Sequence, residues 1–287
     1  MNTEEVYNAI ISGTQDYFKK NNFKRAVIGL SGGIDSSVAC CLAVKSLGNK
    51  NVTALLMPDL EVTSKENMDD AENIAKKLKI KYHIIPLNDI INVTNIKKIN
   101  NQKNSPKENF FADAKIKAYA LANMKARIRM IILYYFANLK NALVIGTSDK
   151  SEIALGYTTK YGDNAADIMV IGDLWKTEII EIGRFLGIPF KILNKNPSAE
   201  LMLGVTAEKE LGADYELLDK ILKMHIEEDS SMQEIISKGL RKNIVKKVME
   251  RIRLNEHKRR NAILIRVSER SFHSIEWRMP ITNGFRG

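Results

Sequence analysis

Residues 26–37 read Ala-Val-Ile-Gly-Leu-Ser-Gly-Gly-Ile-Asp-Ser-Ser, an apolar run that ends abruptly in small and hydroxyl residues before an apolar helical pattern resumes at Val38-Ala39-Cys40-Cys41-Leu42-Ala43. A strand over Val27 to Leu30 would deliver the chain to the carboxyl edge of a parallel sheet. There Gly32 and Gly33 permit a tight turn that aims successive N–H groups at an anion. The helix that follows adds its positive end. The stretch reads as a phosphate cradle. No Lys follows the glycines and the spacing is not G-x-x-x-x-G-K-[ST], so the loop lacks the ammonium that reaches β- and γ-phosphates in Walker-type sites. Asp35 narrows the reading further: a carboxylate among phosphate-holding groups repels its ligand unless a cation such as Mg²⁺ lies between them. Taken alone, Asp35 also reads as an acid favoured by the helix dipole. Its place between Ser31-Gly32-Gly33 and Ser36-Ser37 favours the metal-phosphate reading.

Outward from this loop, apolar runs recur at 52–57, 82–87 and 142–146, separated by helical patterns at 36–47, 66–79 and 114–138. An amphipathic helix over 3–20, with Val6, Ile10, Ile11 and Phe18 on its apolar side, precedes them. The alternation predicts an α/β fold, a doubly wound, Rossmann-like parallel sheet with right-handed crossovers. Ligands of such sheets bind beyond the carboxyl ends of strands. Three runs end there in polar loops, Ser31-Gly32, Pro58-Asp59 and Gly146-Thr147-Ser148, and one cleft is expected to collect them. Residues 92–112, rich in Asn and Lys and containing Pro106, read as a loop. Further helical patterns occupy 175–187, 215–229 and 241–256, and 196–213, broken by Pro197, Gly204 and Gly212, is a candidate lid. The expected organisation is one domain over 1–287, with an α/β core over about 22–190, the lid, and a C-terminal helical extension over about 214–287.

Hydrophobic residues make up 45% of the 287 and charged residues 27%, with no stretch of eighteen apolar residues, so a membrane-spanning helix is excluded. The start, Met1-Asn2-Thr3-Glu4-Glu5, has neither the basic nor the apolar part of a signal peptide, and a soluble cytoplasmic protein is expected. Cys40 and Cys41, adjacent on a predicted buried helix, have neither metal-ligand spacing nor a disulfide framework and read as core packing. A formal net charge of +10 admits a nucleic-acid partner, an anionic substrate or a lysine-rich proteome. Paired lysines on predicted helices (Lys76-Lys77, Lys97-Lys98, Lys246-Lys247) without interleaved aromatics fit solvated faces, and nucleic acid is not expected.

Asn123 and Arg127 share a helix face four residues apart while Arg129 points elsewhere. An amide and a guanidinium fork together read carboxylate or phosphate; an ordinary polar stripe is the alternative. From Gly146 to Asp167 runs a polar, glycine-punctuated stretch too long for a plain connector. In it Glu152 is a candidate second oxygen ligand for Mg²⁺. Asp163 and Asp167 are candidates for a ribose, a cationic group or an incoming amine, and each alone also reads as a cap or turn residue. Asp173 reads as an N-cap of the next helix. Lys176, in the first turn where a cation opposes the dipole, is rationalised by an anionic ligand.

Together these residues resemble a known family. Ser31-Gly32-Gly33-Ile34-Asp35-Ser36 looks like the loop of the ATP pyrophosphatases, the adenine nucleotide alpha hydrolase-like fold, shared with GMP synthetases and tRNA lysidine synthetases. Asn123-x-x-Ala126-Arg127-x-Arg129, Glu152-x-x-x-Gly156-Tyr157-x-Thr159-Lys160-Tyr161-Gly162-Asp163, Asp167 and Leu174-x-Lys176 are similar to the ordered motifs of NAD⁺ synthetases. Pro197-Ser198-Ala199-Glu200-Leu201 and His257-Lys258-Arg259 extend the match over nearly the whole chain.

The resemblance implies ATP-dependent adenylylation of the nicotinate carboxylate of deamido-NAD⁺, then displacement of AMP by ammonia. By this resemblance Ser31, Gly32, Gly33, Ser36 and Ser37 hold pyrophosphate, and Thr147 and Ser198 lie beside ATP. Asp35 and Glu152 hold Mg²⁺, and Asp35, Glu152, Asp163 and Lys176 serve catalysis. Asn123, Arg127, Tyr157, Lys160, Asp163, Asp167, Lys176, His257 and Lys258 contact deamido-NAD⁺ or the reacting phosphates, with Asp163 or Asp167 taking the ammonia proton. A homodimer is implied as well. Three departures stand out. Val205-Thr206-Ala207-Glu208 replaces a Gln-Thr-Asp-Glu run, Asn261-Ala262-Ile263-Leu264 replaces a proline-rich turn, and no glutaminase domain is expected before residue 1, which implies free ammonia as nitrogen source. The alternatives are a tRNA lysidine synthetase-like enzyme and a non-catalytic nucleotide sensor.

Overall fold

Three aliphatic runs and one polar-aromatic edge run pair as parallel strands: β1 (Arg25–Gly29), β2 (Val52–Leu56), β4 (Ala142–Gly146) and, at the edge, β3 (Lys81–Ile84), joined at the other edge by the two-residue β5 (Ile168–Met169). The computed structural model describes residues 1–94, 114–195, 207–272, 277 and 279–282. Most of the 92–112 segment, and Ser198, Val205 and Thr206 of the candidate lid, lie outside the described residues. The sheet order is β3-β2-β1-β4-β5, with Ile28 beside Ala54 on one side and Ile145 on the other. The chain winds outward in one direction from β1 to β3 and returns to the other side at β4, so the switch point of a doubly wound sheet lies between β1 and β4, at the end of the phosphate loop.

The period of two along β1 sorts its side chains. Ala26 and Ile28 enter a core with α1 (Thr3–Lys20), α2 (Ile34–Leu47), α3 (Lys65–Lys77) and α7 (Lys176–Phe185), where Phe18, Val38, Leu42, Ile74, Ile179 and Ile182 are buried. Val27 faces the other way with Leu55 and Val144, against α4 (Asn88–Val93) and the long α5 (Ala114–Lys140). Cys40 and Cys41 are buried in the first of these cores, and burial raises both thiols. A separate core unites α6 (Lys150–Leu155), α9 (Ala207–Leu211), α10 (Tyr215–Ile226), α11 (Met232–Ser237) and α12 (Lys242–Leu254) around Leu155, Trp175, Leu218, Ile221, Leu222 and Val245. The one-turn α8 (Phe190–Leu193) joins α7 to the candidate lid. No described helix is long and apolar enough to cross a membrane.

The long helices and four of the strands lie where the patterns put them. The helix read as starting near 175 begins at Lys176, and Asp173 is not its N-cap: the Trp175 N–H donates to Glu178 Oε2 at 3.0 Å, while exposed Asp173 pairs with Lys150 at 3.0 Å. The short α4, α6, α8, α9 and α11 and the strand β5 were not foreseen, being too brief to show a period. Residues 92 and 93, read as the start of a loop, are the last turn of α4, and 95–113 lie outside the described residues.

Candidate active site

The turn after β1 is built around Gly32, whose φ of +84° is costly for any residue with a side chain. A β carbon there would also lie 2.1 Å from the Asn67 carbonyl oxygen of α3. The serines shape the loop from within. The Ser31 N–H donates to Ser36 Oγ at 3.2 Å, the Gly33 N–H to Ser31 Oγ at 3.3 Å, and Ser36 and Ser37 hydroxyls donate to Gly33 O at 3.2 and 2.7 Å. Gly33 is the N-cap of α2 and no side chain caps the helix there, so its first turn presents backbone donors to an anion. Ser31, Gly33, Asp35 and Ser36 border the cleft; Ser37 is buried beneath them and serves the backbone.

Where the first turn of α2 meets the starts of α6 and α7, three carboxylates converge on one ammonium. Lys176 Nζ lies 2.7 Å from Asp35 Oδ1, 2.6 Å from Asp149 Oδ2 and 3.3 Å from Glu152 Oε1, and the lysine side chain is 1% exposed. Asp149 and Glu152 come from the two ends of the capping box that starts α6: the Glu152 N–H donates to Asp149 Oδ1 at 2.7 Å and the Asp149 N–H to Glu152 Oε2 at 3.4 Å. Burial pushes the Asp149 carboxyl up to about 6 and the Glu152 carboxyl well above its ordinary value, against the pull of Lys176. For Lys176 burial pulls the ammonium down, and Asp149, Asp35 and Glu152 more than reverse it, leaving it well above the ordinary lysine range. Oxygen atoms of Asp35, Asp149 and Glu152 lie within 4.8 Å of one another. Asp149 Oδ2 is fully buried against the Lys176 ammonium. A hard, oxygen-only donor set of three carboxylates against one ammonium fits a small divalent cation such as Mg²⁺.

The same cleft collects Thr147 and Ser148 from the end of β4, Tyr157, Asp163 and, from α5, Arg129. Its floor is apolar, made by Leu30, Leu55, Met57, Leu133 and Ile145, a lining suited to a flat aromatic base. Asp163 Oδ1 accepts the Thr159 N–H at 2.7 Å, and burial raises its carboxyl. The Tyr157 hydroxyl donates to Glu210 at 2.6 Å; burial and that hydrogen bond raise it.

Other expected residues gather outside this cleft. Lys160 and Lys258 border a second hollow with Tyr161, Asn164, Arg259 and Arg260. Asn123 Oδ1 accepts from the Thr159 hydroxyl at 2.9 Å and Arg127 Nε donates to Lys160 O at 3.2 Å, so this pair fastens the 158–163 loop to α5. Lys160 Nζ donates to the His257 carbonyl at 2.8 Å, and Lys258 Nζ to Gly156 O and Thr158 O at 2.7 and 2.9 Å. The Asp167 carboxylate is taken up by the Val144 N–H at 2.7 Å and the Tyr134 hydroxyl at 3.2 Å. It therefore satisfies the edge of β4 at its middle residue, a different use from that expected of a ligand. Ser198 lies outside the described residues. The sequence reading missed Asp149, whose signal was the Asp-x-x-Glu word of a capping box, and it missed that the face to which Arg129 points is the cleft.

A family model described as NAD synthase matches residues 6–262. The chain is 42% identical over 288 residues to the glutamine-dependent NAD(+) synthetase of Aquifex aeolicus, an alignment that takes in 98% of this chain and 48% of that one, so it spans about half that relative's length. It is 42% identical over 261 residues, 89% of each chain, to the NH(3)-dependent NAD(+) synthetase of Staphylothermus marinus. Among solved structures, NMN synthetase from Francisella tularensis superposes with a TM-score of 0.78 at 29% identity, covering 93% of this chain and all of the other. With the model spanning all five strands and the phosphate loop, and relatives above 40% identity along most of its length, the chain belongs to the NAD synthase family.

Proposed function

We propose that the protein is an ammonia-dependent NAD⁺ synthetase: it adenylylates the nicotinate carboxylate of deamido-NAD⁺ with ATP, releasing pyrophosphate, and amidates the acyl-adenylate with ammonia to give NAD⁺ and AMP. The observation that carries this reading is one cleft at the sheet's switch point bordered by the phosphate loop, Asp35 and Glu152, with Asp149 and the Lys176 ammonium buried against those two carboxylates. A carboxylate is a poor acyl donor because its oxygen leaves badly, and converting it to a mixed anhydride divides one hard step into two easier ones.

In the first step a carboxylate oxygen attacks the α-phosphorus, the bond to the bridging oxygen breaks, and its electron pair leaves on pyrophosphate. The α2 N-terminus and the loop of Ser31, Gly32, Gly33 and Ser36 hold that leaving group, and Lys176 counters charge at the α-phosphate. Asp35, Asp149 and Glu152 would hold Mg²⁺, which when bound supplies neutralisation of phosphate charge. Thr147 lies beside the nucleotide. In the second step ammonia attacks the acyl carbon, AMP departs, and a proton must leave the nitrogen. Asp163 suits that task better than Asp167, because it borders the cleft with a raised carboxyl while Asp167 is engaged by Val144 and Tyr134. Lys160, Lys258 and His257, with the loop that Asn123 and Arg127 hold, form the deamido-NAD⁺ side of the site. A homodimer is supported by α5, where Ile131, Tyr135 and Leu139, spaced by four, are 68%, 60% and 66% exposed along one face.

The test measures AMP and NAD⁺ formed from ATP, Mg²⁺ and deamido-NAD⁺, with ammonium or glutamine as nitrogen source. A parallel arm offers nicotinate mononucleotide, the acid that an NMN synthetase would amidate. Turnover with ammonium and deamido-NAD⁺ supports the proposal. Turnover only with the mononucleotide reassigns the substrate, and absence of AMP from folded protein in every arm removes the enzymatic reading.

A further inference from the structure

We propose that Lys195 is the phosphate-reading cation that the loop itself lacks, brought from beyond α8 to bind the pyrophosphate end of ATP. The inference rests on the proposed function for what the pyrophosphate is, and on geometry for where the cation stands. The sequence from Ser31 to Ser37 holds no Lys or Arg. Yet Lys195, some 160 residues downstream, places its ammonium 3.4 Å from the Gly32 carbonyl oxygen, on the border of the cleft shared by Ser31, Gly33, Asp35 and Ser36.

Its position is set by α3. Lys195 Nζ donates to Asp70 Oδ2 at 2.6 Å and to Asn67 Oδ1, and the Asp70 side chain is 7% exposed. The same helix turn is pressed against the loop, since the space where Gly32 would carry a β carbon is filled by Asn67 backbone. Loop, α3 and ammonium therefore form one fixed unit, and an ammonium held in place in advance loses little entropy on meeting its ligand.

The three acceptors around Nζ are unequal. Two are short side-chain contacts, whereas the Gly32 carbonyl at 3.4 Å is at the outer limit of a hydrogen bond. A phosphate oxygen carries more charge than a carbonyl and makes the stronger bond. It can take the donor now turned toward Gly32 while Asn67 and Asp70 keep the other two. Asp70 is also paired with Lys191 at 3.2 Å, so its buried charge stays compensated if Lys195 leans toward the ligand. Such a cation is needed: Asp35, Asp149 and Glu152 outnumber Lys176 in the neighbouring cluster, and the electron pair released in adenylylation ends on the pyrophosphate. The Lys176 ammonium is buried among the three carboxylates, whereas Lys195 lines the cleft beside the loop.

The experiment measures Mg²⁺-pyrophosphate and AMP affinities by calorimetry on the full chain, for wild type, Lys195→Met and Lys195→Arg, beside steady-state AMP formation. Lys195→Met is expected to weaken pyrophosphate binding at least tenfold and to leave AMP binding within twofold, and Lys195→Arg to restore most of the loss. Equal loss of both ligands would make Lys195 a structural tie, and unchanged pyrophosphate affinity would remove it from the site; either result overturns the proposal. Should Lys195→Met fail to fold, Lys195→Gln, which keeps polar atoms for Asn67 and Asp70, takes its place. If wild type binds pyrophosphate but makes no AMP from deamido-NAD⁺, the proposed reaction fails while the binding comparison still decides the role of Lys195.

Discussion

Lys176 occupies the first position of α7, where its helix favours an anion, and it is nearly sealed from solvent. The carboxylates of Asp35, Asp149 and Glu152 reconcile a buried ammonium with that place, and neutralising one of them leaves the buried charge less compensated. Asp35, Glu152 and Lys176 were legible because each sits in a short polar word next to a strand end or helix start. Asp149 was not, because Asp-x-x-Glu at a helix start is explained completely by capping, and capping is only half of what Asp149 does: Oδ1 caps while Oδ2 faces the cluster. Asp149→Asn separates the halves, since the amide oxygen can still accept the Glu152 N–H. The variant is expected to stay folded, to lose about 100-fold in turnover, the scale seen when one preorganised electrostatic partner is removed, and to need more Mg²⁺ for half-maximal rate. Rate against Mg²⁺ concentration checks this; a wild-type profile would leave Asp149 a cap alone.

At the scale of elements, the cleft's geometry depends on how strand ends are tied to helices. Gly32 is the tightest such point, and Gly32→Ala combines a positive φ with a backbone clash against α3. It is expected to cost about 2 kcal/mol or more and to abolish nucleotide binding even in protein that remains folded, as thermal unfolding with and without ATP would show. A second tie joins the end of β2 to α5: the buried Asp59 carboxylate pairs with buried Lys125 and accepts from the Glu61 N–H at 3.1 Å and Asn88 Nδ2 at 3.3 Å. Burial alone raises the Asp59 carboxyl, but the Lys125 contact and the Glu61 N–H outweigh it and hold it below its ordinary value. The folded carboxyl thus releases its proton more readily than the unfolded one. Its contribution is complete above about pH 4, where the unfolded carboxyl ionises, and is lost as pH falls through the lower folded value. Asp59→Asn strands the Lys125 charge and is expected to cost about 3–5 kcal/mol near pH 7, with the gap to wild type narrowing below pH 4; denaturant midpoints across that range measure it. The turn at Gly32 was legible from its glycine pair, but its contact with α3 and the pairing of Asp59 with Lys125 were not. Pro58-Asp59 announced a strand end, but its partner on α5 lies more than sixty residues on, and no local pattern pairs a turn acid with one lysine of a helix that carries several.

For the whole molecule, the C-terminal helices looked in sequence like an extension, and the structure makes them a brace. Apolar periods were enough to place helices near 215–229 and 241–256, because packing of a helix face needs only local spacing. Their purpose was hidden because it depends on contacts far apart in the chain. Arg259 Nη1 donates to Ile153 O and Ala154 O at 3.0 and 2.7 Å, and Asn255 Nδ2 to Leu155 O at 3.3 Å, closing the carboxyl end of α6. Asp219 of α10, 2% exposed, holds the amino ends of both site helices: it accepts the Ser151 hydroxyl at 2.5 Å and the Thr177 N–H at 2.9 Å, while Ser151 Oγ accepts the Lys176 N–H at 2.9 Å. One carboxylate of the second core thus fixes α6 and α7, and with them Asp149, Glu152 and Lys176, relative to each other. Asp219→Ala removes the acceptor and leaves a buried hydroxyl and a half-buried N–H without that partner, the first costing about 1–3 kcal/mol and the second less. The expected outcome is a loss of about 3 kcal/mol, faster amide hydrogen exchange over residues 150–155 and 176–178, and a fall in turnover larger than any change in ATP affinity. Asp219→Asn, which keeps one acceptor oxygen, should recover part of each effect. If exchange quickens only within α10 to α12 and turnover is preserved, the C-terminal core stabilises itself and does not hold the site together.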